Sequence, residues 1–231
     1  MIRNLKVLLA AALALTAFGA LGVAGAHAED AFHCNLNPCR GTLLPDGTGA
    51  TAHHVFIIEN EATTESVSFT CASLSGEGEL VGNEAAELTV KNLAYNSCKA
   101  NGSAGVTVKM NTCDYLFTGA GGRTDEAEVH VSCTTPGDTI TIEYNGCIVH
   151  IGELRAKGIG YKNEGSPGSR VVTATVNHVT IPANKITITG TKAQCLINPS
   201  QPLVGTYTTG NTLVTGEENK SPFNMADAWY E

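Results

Sequence analysis

Basic residues are scarce. The 14 Lys and Arg stand against 22 Asp and Glu, a formal net charge of −8. Phosphate binding depends on clustered Lys and Arg, so this balance argues against a nucleic-acid partner. Aromatic residues make up only 6% of the chain, too few for a broad stacking surface. Charged residues reach only 16% while hydrophobic ones reach 42%, which excludes the highly charged, apolar-poor composition of a disordered chain. Reactive signatures are missing as well: there is no G-x-S-x-G elbow, no H-E-x-x-H helix, no P-loop and no dinucleotide fingerprint. No sustained helical period appears beyond the N-terminal segment, and no later apolar run is long enough to span a bilayer.

What is present begins with an address. Arg3 and Lys6 precede an apolar run from Val7 to about Ala26, which ends in Ala26-His27-Ala28. This is the order of a secretory signal peptide over residues 1–28, with cleavage expected between Ala28 and Glu29. A transmembrane anchor is the alternative for a run of this length. The small-residue end and the acidic Glu29-Asp30 favour cleavage. There is no twin arginine and no Cys at the cleavage point, so the general secretion route without a lipid anchor is expected. Cleavage removes two positive charges and no acid, leaving 203 residues with a net charge of −10. The mature chain is expected to be soluble and extracellular, or held at the cell surface.

All eight cysteines follow that segment: Cys34, Cys39, Cys71, Cys98, Cys113, Cys133, Cys147 and Cys195. An even number in an exported chain reads as a disulfide set. Zinc would need two close pairs of ligands, and His33-Cys34-x4-Cys39 is the sole close group, so no metal or other cofactor is expected.

Period-two alternation recurs in short runs. Val106-Thr107-Val108-Lys109-Met110, Ala127 to Cys133 and Ile140 to Tyr144 all place apolar residues at every second position. Val67, Phe69 and Cys71 do the same, as do Val172, Ala174 and Val176, and Ile186 with Ile188. Gly, Asn, Ser and Pro punctuate these runs. The expected fold is all-β, a mostly antiparallel sandwich stapled by disulfides, forming one domain over residues 29–231. Two lobes divided near residues 153–169 are the alternative. Gly158 to Ser169, Pro199 to Pro202 and Glu217 to Pro222 read as loops or polar connectors.

Residue parity proposes the bridges. In an antiparallel pair the two indices sum to a constant. Setting Cys113 opposite Cys133 also sets Tyr115 against Val131 and Phe117 against Val129, so one hairpin register aligns the sulfurs and the apolar partners. Cys71 ends a buried face, and Cys98 follows the strand-like run Glu87 to Tyr95, which pairs these two. Cys34 with Cys39 closes a local loop, and Cys147 with Cys195 is the remainder.

Val106 to Phe117 echoes Ile140 to Ile151, each placing Asn-x-Cys between two strands, and Asn96-Ser97-Cys98 supplies a third copy. Either Asn serves the turn and the Cys then points inward, or a β unit is duplicated.

Few residues suggest chemistry. His53 and His54 are adjacent, so on a strand they face opposite ways and cannot readily share one metal. Glu77 and Glu79 share one strand face, as a glycosidase pair could, but also as a solvated face would. Asp125, Glu126 and Glu128 read as solvated acids beside a turn, and Asp46-Gly47-Thr48-Gly49 as a turn without the spaced oxygens of a calcium loop. Trp229 and Tyr230 either stack on a sugar or anchor the last segment on the core. No catalytic, cofactor or metal residue is assigned.

Several stretches resemble a group of secreted bacterial β proteins without a known activity, often present as paralogues: the signal peptide over residues 1–28, Thr51 to Ile58, Ser66 to Cys71, Val106 to Cys113, Gly158 to Gly165 and Gly205 to Gly216. The resemblance implies export and a β fold and carries over no site residue. The function expected is a surface or matrix module that binds a protein or glycan, or builds the cell exterior. A secreted hydrolase using paired carboxylates on polysaccharide is the alternative, and an inhibitor with an exposed loop at Gly165 to Ser169 is a third.

Overall fold

The computed structural model describes residues 31–34, 39–44, 54–80, 84–119, 127–164, 171–176, 178–209, 211–215 and 228–230. The signal segment, its cleavage point, His53, Asp46 to Gly49, Asp125, Glu126 and Gly165 to Ser169 lie outside the described residues.

Strands dominate what is described. β1 (Phe32–Cys34) and β2 (Cys39–Leu44) come first, followed by β3 (His54–Asn60), β4 (Ser66–Cys71) and β5 (Ser73–Leu80). Next are β6 (Glu84–Ala85), β7 (Glu87–Asn96), and the short hairpin of β8 (Lys99–Ala100) and β9 (Ser103–Ala104). The middle of the chain holds β10 (Thr107–Lys109), β11 (Cys113–Thr118), β12 (Ala127–Cys133), β13 (Ile140–Tyr144) and β14 (Cys147–Ile151). After β15 (Leu154–Glu164) and β16 (Val171–Val176) come β17 (Val179–Ile181), β18 (Ile186–Thr189), β19 (Leu203–Thr209), β20 (Asn211–Thr215) and β21 (Ala228–Tyr230). Helix is confined to a 3₁₀ turn at Ala183–Lys185 and one α turn at Lys192–Cys195.

The fold is all-β, and the described strand pairs are antiparallel. Eight strands pair in a closed ring, in the order β11-β12-β15-β16-β20-β2-β5-β7. A six-stranded sheet runs β17-β19-β3-β4-β8-β9, a four-stranded sheet β10-β13-β14-β18, and a three-stranded sheet β21-β1-β6. Apolar faces of these sheets pack together in layers, as a sandwich requires. Phe56 of the six-stranded sheet, for example, meets Tyr95 of the ring with centroids 5.6 Å apart. That the largest sheet returns on itself is not visible in the alternation, which reports faces and not partners.

Alternation sets the faces. β12 buries Ala127, Val129, Val131 and Cys133 and turns the residues between them outward. β14 and β3 alternate in the same way. A single apolar core results, in which Ile142, Val149, Val90 and Ile197 are fully enclosed.

The registers match the parity argument. Cys113 lies opposite Cys133, Tyr115 opposite Val131 and Phe117 opposite Val129. Disulfides join Cys113 to Cys133, Cys71 to Cys98 and Cys147 to Cys195. Cys34 is disulfide-bonded too, while the side chain of Cys39 lies outside the described residues.

The Asn-x-Cys turns carry left-handed backbone at Asn111 (φ 53°) and Asn145 (φ 48°), and each following Cys is buried. Asn adopts this region more easily than most side chains. In the third copy Ser97, not Asn96, takes the positive φ. The two echoing segments diverge in the fold. β13 and β14 form one hairpin, whereas β10 joins the four-stranded sheet and β11 joins the ring.

One loop expectation is corrected. Gly158 to Glu164 is not a loop but the second half of β15, paired with β12 on one side and β16 on the other. Gly158 has φ 93°, and the register slips there because Lys157 pairs with Glu128 while Ile159 pairs with Ala127. The glycine that looked like a breaker is the extra residue of a β-bulge, which needs positive φ. β15 occupies Leu154–Glu164 of the interval 153–169 where a division between lobes was considered.

Candidate functional site

Four polar side chains project into the core from four strands. His54 begins the inward face of β3, Tyr95 lies on β7, Tyr115 on β11 and Tyr207 on β19. Register brings them together. Phe56 pairs with Tyr207 across β3 and β19, and their rings lie 4.4 Å apart. His54 meets Tyr95 edge to face at 5.5 Å.

Their polar atoms form a chain. Tyr95 Oη lies 2.7 Å from Tyr115 Oη and 3.1 Å from Tyr207 Oη, and Tyr207 Oη lies 2.9 Å from His54 Nδ1. The tautomer of His54 sets the direction. With Nδ1 of His54 accepting, Tyr207 donates to His54, Tyr95 donates to Tyr207 and Tyr115 donates to Tyr95. Every phenolic proton then has an acceptor, and Tyr115 keeps a free capacity to accept. The reverse direction would leave the Tyr115 proton without an acceptor in the chain.

Burial governs the acidity of these groups. Removal from water pushes the Tyr115 phenol up to about 12, an effect only partly offset by its bond to Tyr95. Tyr95 and Tyr207 are raised well above the ordinary phenol value, again chiefly by burial and then by their phenolic neighbours. Neutral phenols are the form the core accommodates.

Beside this chain lies a cavity of about 60 Å³ between the ring and the six-stranded sheet. Its wall is almost wholly apolar and includes Phe56, Phe117, Val131 and Ala174, with Tyr115 and Tyr207 as the members that carry hydroxyls. A cavity of this size is far below the several hundred Å³ of a drug-sized pocket.

The residues singled out from sequence are placed elsewhere. Glu77 and Glu79 are on the outer face of β5; Glu77 accepts a 2.8 Å hydrogen bond from Asn92 Nδ2, and Glu79 pairs with Lys91 Nζ at 3.1 Å. Glu128 lies 3.5 Å from Lys157. Of the two histidines only His54 is described, and it is 2% exposed. Trp229 and Tyr230 lie on β21, whose backbone pairs with His33 and Phe32 of β1. Their side chains lie outside the described residues. Among the described residues no group of three or more His, Cys, Asp or Glu is placed to hold a metal ion.

Sequence reasoning treated Tyr115 as a core face residue and missed Tyr95, Tyr207 and the inward role of His54. The available signal was phase. Tyr95 follows Leu93 at the apolar parity of β7, and Tyr207 follows Leu203 and Gly205 at that of β19. Polar-tipped residues in a buried phase must find partners inside.

Comparison with protein-family models, curated proteins and solved structures gives no match. The three described disulfides point to an oxidising environment, and no helix among the described residues is long and apolar enough to cross a membrane.

Proposed function

We propose that the chain works outside the cytoplasm as an exported, disulfide-bonded β module. In this reading it binds a protein or glycan at the cell exterior, or forms part of that exterior, and it is not a catalyst. The observation that carries the reading is the use of the cysteines. Each of the three described sulfur bridges ties segments 20 to 48 residues apart, a form of stabilisation that suits an oxidising, protease-exposed setting. The N-terminal segment of the sequence supplies the export signal.

The carboxylates considered for hydrolysis support this reading rather than the alternative. Glu77 and Glu79 are engaged with Asn92 and Lys91 on an outer strand face and do not line the cavity. Their removal should therefore cost little. The double substitution Glu77→Gln/Glu79→Gln is expected to leave the fold intact and to lower stability by less than about 1 kcal/mol, the range of an exposed ion pair.

The test is to incubate the secreted protein with a panel of cell-wall and environmental polysaccharides. Bound glycan and released reducing ends are measured together. Retention of a glycan or of cell-exterior material without released sugar is expected. Sugar release that the double substitution abolishes would replace the proposal with the hydrolase.

A further inference from the structure

The core has a feature that a purely structural module does not require. Two buried phenols, a half-buried one and a buried imidazole form a hydrogen-bonded chain, and two of the phenols line an otherwise apolar cavity. Burying such groups opposes folding unless each is paired. A wall of apolar side chains with a few placed polar atoms is the pattern of a small-molecule pocket. A closed sheet of about eight strands is also the size at which the interior either fills with side chains or holds one small ligand.

The structure assigns a ligand class to this cavity. We propose that it binds a compact, uncharged molecule with an apolar body and one hydroxyl, which hydrogen-bonds Tyr115. Volume sets the size. At about 10–15 Å³ per water-sized group, 60 Å³ has room for about four groups, the size of a three-carbon alcohol. The wall sets the body. Val131, Phe117 and Ala174 offer dispersion contacts and no hydrogen bonds, so a charged guest or a guest with several polar groups is rejected. The phenol sets the polar atom. Either oxygen of the Tyr95–Tyr115 pair can be the donor, so Tyr115 has one hydrogen-bonding capacity left, and a hydroxyl, which both donates and accepts, matches it in either direction. The guest sits between the ring and the six-stranded sheet, apart from the outer strand faces.

The experiment uses the intact disulfide-bonded protein and two probes, propan-1-ol and xenon, followed through the methyl resonances of Val129 and Val131. Saturable shifts with both are expected. Tyr115→Phe removes the phenolic oxygen and keeps the ring, so it should weaken propan-1-ol about tenfold while leaving xenon within about twofold. Ala174→Val fills the void and should abolish saturable binding of both probes. Shifts in the wild-type protein that rise linearly without saturation would overturn the proposal. So would propan-1-ol binding unchanged in Tyr115→Phe, or binding of either probe that survives in Ala174→Val. If Tyr115→Phe does not fold, the wild-type and Ala174→Val titrations decide the matter alone.

Discussion

Reduction of the disulfides without denaturant is expected to unfold the protein. The three described bridges close segments of 48, 27 and 20 residues. Loop-closure entropy then assigns about 4 kcal/mol to Cys147–Cys195, about 3.5 to Cys71–Cys98 and about 3.3 to Cys113–Cys133. Their sum is comparable to the whole net stability of a typical domain, about 5–15 kcal/mol. The bridges also hold separate parts of the fold. Cys147–Cys195 fixes the turn at Lys192–Cys195 against the β13–β14 hairpin, and Cys71–Cys98 ties the end of β4 to the connection between β7 of the ring and β8 of the six-stranded sheet. Urea unfolding of the paired variants Cys147→Ala/Cys195→Ala and Cys113→Ala/Cys133→Ala should show the larger loss in the first. Equal midpoints for the oxidised and fully reduced protein would refute the expectation.

Alkali is the second expected denaturant, and the sign follows from the tyrosines. An unfolded phenol ionises near about 10. In the fold Tyr115 is pushed up to about 12, and Tyr95 and Tyr207 are held well above the ordinary value, in each case mainly by burial. A raised value in the folded state means that the stabilising contribution is complete below about pH 10 and is lost as pH climbs towards the folded value. Each such group costs about 1.4 kcal/mol per pH unit in that window, and three together about 4 kcal/mol per unit. Cooperative unfolding is therefore expected between about pH 10 and 12. Phenolate absorbance from the three residues should rise in one step with the loss of β circular dichroism. Smooth ionisation near pH 10 with the fold intact would show that these hydroxyls are open to water.

Much of the fold was legible because a half-buried strand alternates. The runs around Ala127 to Cys133 and Ile140 to Tyr144 became β12 and β13, and parity alone paired Cys113 with Cys133. Topology was less legible. Nothing in the residues of β20 announces that it lies between β16 and β2, and closure of the ring depends on that placement. Gly158 misled because a bulge and a loop demand the same glycine. The core site was hidden for a related reason: Tyr95, Tyr115 and Tyr207 are far apart in sequence and meet only once β3, β7, β11 and β19 have packed. The conspicuous carboxylates Glu77 and Glu79 were easier to notice and serve the outer face.

The most direct measurement is a non-reducing peptide map of the protein recovered from the medium of a secreting host. It should show a chain beginning at Glu29, with Cys71 linked to Cys98, Cys113 to Cys133 and Cys147 to Cys195. A chain retained inside the cell with its leader attached, or one whose cysteines all carry free thiols, would contradict an exported and cross-linked β module.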